Sequence, residues 1–130
     1  MGGSAFKDKR PVYLNLFKIR LPVAAVVSLA HRLSGILMFL AMPFIVYLLD
    51  LSVQSSAGFE QAMTLLQHPL LLAVQILLVW ALAHHLFSGI RFLLIDADLG
   101  VDRQAANYSA WLVIALSVLT TVIVSLGLLL

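Results

Sequence analysis

Three long apolar runs, separated by short polar intervals, dominate this chain. From Leu21 to Leu49 the only formal charge is Arg32. From His68 to Ile95 the only one is Arg91, and from Tyr108 to Leu130 there is none. About 20 apolar residues in a helix cross the hydrocarbon core of a bilayer. The pattern therefore predicts three transmembrane helices, over about residues 22–49, 68–95 and 107–130. The first run is too long for a cleaved signal peptide, and its polar groups come too early. Pro22 suits a first helical turn, and Pro43 predicts a kink whose freed carbonyl neighbouring groups satisfy.

The polar intervals differ in kind. Residues 1–20 hold Lys7, Lys9, Arg10, Lys18 and Arg20, five of the eight Lys and Arg residues. Val12, Leu14, Leu16, Phe17 and Ile19 are interleaved with them. This predicts a basic arm at the membrane surface or against a partner, with a solvated tail as the alternative before Pro11. Asp50 to Gln67 reads as a loop. Within it Phe59, Met63 and Leu66 recur at i, i+4 and i+7, the spacing of a short interfacial helix. Asp96, Asp98, Gly100, Asp102 and Arg103 form a short polar turn. Tyr108 and Trp111 suit a membrane interface, and Ser117, Thr120, Thr121 and Ser125 suit close helix packing in lipid.

Composition agrees with the pattern. The 130 residues are 62% hydrophobic and 11% charged, against about 45–50% and about 25% in soluble domains. The reading is an all-α membrane protein with one domain, residues 1–130. There is no cysteine. Disulfides, thiolate-held iron–sulfur clusters and covalently attached c-type haem are excluded, whereas histidine-ligated haem is not. The net charge is only +2, but its placement sets an orientation. With residues 1–20 inside, Arg103 is also inside, and Arg32 and Arg91 lie toward the inner half. The opposite loop and the carboxyl end carry no Lys or Arg. The positive-inside rule then puts the N-terminus in the cytoplasm and the C-terminus outside.

The residues that stand out are polar ones inside the apolar runs. A charge near the bilayer centre costs roughly 2.5–3.5 kcal/mol on insertion scales, so such residues are candidates for function. Ser28 and Arg32 are at i and i+4 and share a helix face, with His31 on its flank. On the second run His85, Ser88 and Arg91 step by threes. Gly89 removes bulk beside them, which predicts a gap of the kind a flat macrocycle needs. Both groups fall at one level of the inner half, so they are expected to face each other around one site for a haem and a quinone. Each residue also has a plainer role available. An intramembrane histidine can simply bond a neighbouring helix. His84 and His85 point about 100° apart, so both cannot face one iron. Arg91 can snorkel to the headgroups, Ser34 and Gly35 suit close packing, and His68 suits the outer interface.

Three elements carry a resemblance. They are Arg10-Pro11-Val12, then Ser28-Leu29-Ala30-His31-Arg32-Leu33-Ser34-Gly35, then His85-x-x-x-Gly89-Ile90-Arg91 with Asp96 five residues on. Together they resemble the cytochrome b membrane anchor, the larger of two anchor subunits, of bacterial succinate dehydrogenase, over nearly the whole chain. The resemblance implies three transmembrane helices packing with a partner anchor subunit into a helical bundle in the bacterial inner membrane, with the C-terminus in the periplasm. It implies a haem b shared with that partner, with His85 rather than His84 as this chain's axial iron ligand and the second ligand from the partner. Ser28 and Arg32 match the family's ubiquinone-binding residues, and His31 and Arg32 would lie near the haem propionates. An iron–sulfur subunit would deliver electrons, a flavoprotein subunit would oxidise succinate, and membrane lipid would surround the spans. No nucleic acid is expected, and no catalytic residue beyond the quinone site. The chain would act only as a subunit of the succinate:quinone oxidoreductase. It departs from the family at Phe92, where the family often has His.

Two other readings remain open at this level. The anchor of a fumarate reductase would run the same chemistry in reverse. A small haem-free transporter or assembly protein is of a different class. A transporter is expected to carry an acidic residue in mid-membrane, and here Asp50, Asp96 and Asp98 all sit at span ends.

Overall fold

A computed structural model describes residues 21–130. The basic arm predicted for residues 1–20 lies outside the described residues. Four helices follow in order: α1 (Val23–Gln54), α2 (Ser56–Leu66), α3 (Pro69–Asp96) and α4 (Arg103–Leu129). α1, α3 and α4 are each long and apolar enough to cross a membrane.

Local chemistry explains where the helices start and stop. α1 runs through Pro43 and continues past the predicted end at residue 49. Gln54 donates to the Asp50 carboxylate one turn back at 2.7 Å, and Ser52 donates to the Leu49 carbonyl. The polar residues expected to open a loop are therefore absorbed into the last turn of α1. The chain turns at Ser55, whose backbone is extended and whose hydroxyl accepts from the Gly58 amide at 3.0 Å. The short helix expected in this interval is α2. Gly58 and Ala62 pack it against α1, and a methyl group at Gly58 would collide with the Leu51 carbonyl oxygen. Phe59 and Met63 stay exposed.

His68, expected only to sit at the interface, caps α3 by accepting from the Leu70 amide through Nδ1, with Pro69 in the first turn. Asp102 caps α4 by accepting from the Gln104 and Ala105 amides. α4 thus begins about one turn earlier than the apolar run predicts. The α3–α4 turn uses two left-handed positions, Asp98 (φ 59°) and Gly100 (φ 70°). A short polar side chain or a glycine adopts that conformation at least cost.

α3 packs against both α1 and α4. The residues at the contacts are small or polar: Val27, Ala81, Ala110 and Val113, with Ser34, Ser88 and Ser117 fully buried. The large apolar side chains point outward, Phe39 at 72% exposure and Leu93 at 69%. A water-soluble bundle would reverse that distribution. In lipid nothing drives large side chains inward, and small residues let helices approach closely. The chain is an all-α, multi-pass membrane protein, as its apolar pattern predicts.

A histidine site between α1 and α3

The two polar patches meet. The rings of His31 on α1 and His85 on α3 stack with centroids 4.0 Å apart and planes 16° from parallel. His85 Nδ1 lies 3.1 Å from the His31 carbonyl oxygen and 3.2 Å from Ser34 Oγ. Ser34 Oγ itself donates to the same carbonyl at 2.8 Å. A carbonyl can only accept, and the Ser34 proton is already used. The hydrogen must therefore sit on His85 Nδ1, which leaves Nε2 with a free lone pair.

Gly35 completes the seat. A Cβ there would come 3.1 Å from His85 Cε1, so the imidazole rests directly on the α1 backbone. Ser34 and Gly35, expected only as close-packing residues, hold this ring. The signal was their position one turn after His31, on the face of α1 that meets α3. Beyond the ring a groove of about 450 Å³ runs between α1 and α3, walled by Met38, Phe39, Met42, Leu78 and Leu82. His85 is its one titratable lining residue.

The gap expected at Gly89 is not open. The His31 ring occupies it, with Nε2 3.8 Å from where a Gly89 Cβ would stand, and the His31 and Phe92 rings meet edge to face at 5.2 Å between centroids. α1 and α3 are close enough at this level for one imidazole to fill the notch. The open space lies instead on the Gly35 side of His85.

His84 faces another way. It is 3% exposed, with Nε2 3.4 Å from the Val27 carbonyl, Nδ1 3.4 Å from Ser117 Oγ and its ring stacked on Trp80. It joins α1, α3 and α4 inside the bundle. Arg91 corrects an expectation. It does not snorkel outward: it is 6% exposed, with Nε donating to Ser109 Oγ at 2.9 Å and Nη2 to the Ala106 carbonyl at 3.0 Å. The early start of α4 puts Ala106 and Ser109 on a helix beside it, so the guanidinium finds acceptors within the bundle.

Ser28 is half-buried and Arg32 exposed. Neither is brought into hydrogen-bond contact with His85. Ser28, Arg32, Gly35 and Phe39 follow at i, i+4, i+7 and i+11, so they form one face of α1. The last two line the groove beside His85, and the first two continue that face toward the start of α1. Arg32 stands nine residues into α1, about 13 Å along its axis. In a centred α1 of 32 residues that is about 4 Å inside the hydrocarbon core, where a lipid-facing cation carries part of the mid-bilayer cost, so a covering group on this face is favourable. Among the described residues no three His, Asp or Glu side chains converge on a metal position.

The chain is similar to known proteins along most of its length. Residues 7–124 match the model of the succinate dehydrogenase/fumarate reductase transmembrane subunit family. The succinate dehydrogenase cytochrome b556 subunit of Coxiella burnetii is 38% identical over 117 residues, 88% of this chain and 93% of that protein. The b556 subunit of Paracoccus denitrificans is 31% identical over 117 residues, 90% of each chain. The succinate dehydrogenase cytochrome b560 subunit of Reclinomonas americana is 28% identical over 119 residues, 88% of this chain and 83% of that one. With three membrane-length helices and a match that covers most of its length, this chain belongs to the succinate dehydrogenase/fumarate reductase transmembrane subunit family.

Proposed function

We propose that this chain is a cytochrome b membrane anchor of succinate dehydrogenase that holds a haem b through His85 Nε2 and forms part of a ubiquinone-reduction site with Ser28 and Arg32. The observation that carries the reading is the state of His85. Ligating histidines characteristically donate their second ring N–H to a backbone carbonyl, which fixes the tautomer and the ring angle. His85 does this toward His31 O, and its ring borders an apolar groove. The donor set fits a haem. A low-spin haem with two histidine ligands supplies one-electron transfer and leaves no open position for oxygen. A second anchor subunit would provide the other histidine and cover the face that bears Arg32. His31 and Arg32 are the donors at hand for propionate groups.

Ser28 and Arg32 suit a quinone. The hydroxyl donates to a quinone carbonyl oxygen, and the guanidinium stabilises negative charge as it develops on that oxygen in a low-dielectric pocket. Electrons would arrive from an iron–sulfur subunit, since this chain has no cysteine, and a flavoprotein subunit would take them from succinate. The single anchor domain would lie in the bacterial inner membrane with the basic arm cytoplasmic, docked against the iron–sulfur subunit, and the carboxyl end periplasmic.

A reduced-minus-oxidised spectrum of the purified complex tests the reading. A low-spin b-type signal is expected, and a fully assembled complex without one overturns it. Two variants sharpen the assignment. His84→Ala should leave that spectrum nearly intact while destabilising the bundle by about 1–3 kcal/mol, because buried hydrogen-bonding groups on α1 and α4 lose their partner; loss of the haem signal in a folded His84→Ala complex would put the ligand at the wrong histidine. Gly35→Ala should shift the His85 ring by a few tenths of an ångström, at a cost of about 1–3 kcal/mol if the ring is held tightly. Haem retained per complex should fall, and an unchanged haem content and spectrum would show that Gly35 does not position the ligand.

A further inference from the structure

A second groove lies between α3 and α4, and the proposed haem and quinone site does not use it. It holds about 380 Å³, and its walls include Phe87, Ile90, Leu94, Leu112 and Leu116. Its polar lining is confined to the end where α3 stops and α4 starts, at Arg91, Ser109 and the Gly100 turn.

Depth gives this profile a meaning. α3 has 28 residues, about 42 Å of helix. The hydrocarbon core is about 30 Å thick, so about 6 Å of a centred helix protrudes at each end. Arg91 is five residues before Asp96, about 7 Å from the helix end. That puts the guanidinium at the level where lipid phosphates meet acyl chains. Leu116 is thirteen residues after Arg103, about 20 Å from the start of α4. The groove therefore runs from the headgroup level to about the bilayer midplane, the extent of one leaflet. It is polar and cationic at the surface end and apolar below.

Among the described residues the charge at Arg91 is uncompensated. Its partners are a serine hydroxyl and a backbone carbonyl, both neutral. No carboxylate among the described residues pairs with it. An arginine has five N–H donors, of which these two bonds use two. A buried cation with neutral partners carries a desolvation cost that an anion offsets. Guanidinium matches phosphate in charge and donor geometry.

We infer that the α3–α4 groove is a binding site for one anionic phospholipid, with the phosphate on the free donors of Arg91 and an acyl chain along Ile90, Leu112 and Leu116. The lipid completes the charge balance of the bundle and joins α3 to α4 at the membrane surface. This inference does not depend on His85 or on haem.

The test uses the purified, delipidated complex. Phosphatidylglycerol, phosphatidylcholine and ubiquinone are added separately, and bound lipid is counted by native mass spectrometry alongside Tm. Phosphatidylglycerol should bind once per copy of this chain and raise Tm. Phosphatidylcholine presents the same phosphate, but its ammonium group cancels the net charge of the headgroup and opposes Arg91, so it should bind about tenfold more weakly. Leu116→Trp fills the groove and leaves Arg91 in place, so it should still assemble and lose the phosphatidylglycerol response. Arg91→Gln should lose the preference for the anionic lipid; if that variant fails to fold, Leu116→Trp decides the matter alone. Equal binding of both phospholipids, a full phosphatidylglycerol response in Leu116→Trp, or stabilisation by ubiquinone alone would overturn the inference.

Discussion

His85→Ala should remove the low-spin b-type signal from the purified complex, or convert it to a high-spin one. The expectation rests on one nitrogen. Nδ1 is committed to His31 O and Ser34 Oγ, so Nε2 is the only position from which this ring can bind iron. No neighbour can replace it. His31 is stacked against the same ring and wedged over Gly89. His84 is turned into the bundle toward Val27 and Ser117. The substitution also leaves a void beside Gly35 that the groove already borders, so the helices need not collapse. Protein should remain in the membrane with little bound haem. A His85→Ala complex with an intact low-spin spectrum would refute the ligand assignment, whatever its activity.

Arg32→Ala should reduce ubiquinone reduction by about 10²- to 10³-fold, the loss typical for removing one preorganised group that stabilises developing negative charge. The low-spin signal should persist, because His85 remains to hold the iron and His31 remains as a donor for a propionate. Electron delivery from succinate to a soluble dye should also persist, because that path ends before the quinone. Arg32→Lys is the informative companion. It keeps the charge but loses the planar fork, so partial recovery would assign the effect to charge and no recovery to geometry. Normal quinone turnover in Arg32→Ala, with the complex assembled, would exclude the role proposed for this residue.

The two variants separate two parts of one face. Arg32 and Ser28 sit on the same helical stripe as Gly35 and Phe39, but one to two turns closer to the start of α1. Loss of haem with His85→Ala and loss of quinone reduction alone with Arg32→Ala would show that the iron ligand and the quinone pocket are adjacent and distinct.

Much of this protein is written in short-range terms, and for that reason it is legible along the chain. A bilayer demands runs of about 20 apolar residues with their backbone hydrogen bonds satisfied internally. Three such runs then mean three helices, whatever their contacts. The pairing of the His31 patch with the His85 patch was legible too, because polar groups in lipid must gather. The angle between His84 and His85 follows from helix geometry alone, and so does the conclusion that only one of them faces the site.

The remaining features depended on distances between helices, which no spacing along one helix encodes. The helix ends moved because Gln54 reaches Asp50 and Asp102 caps α4. Both effects are local, yet they run against the apolar pattern. Arg91 turned inward because α4 presents Ala106 and Ser109 beside it. The notch at Gly89 closed because α1 brings the His31 ring into it, whereas Ser34 and Gly35 became the seat of His85 because the ring meets the α1 backbone at that turn. The chain alone therefore determined the number of spans, the identity of the intramembrane polar residues and the family to which they point. Tertiary packing decided which nitrogen of which histidine is free and where the open grooves lie, because both depend on side chains that meet across helices more than fifty residues apart in sequence.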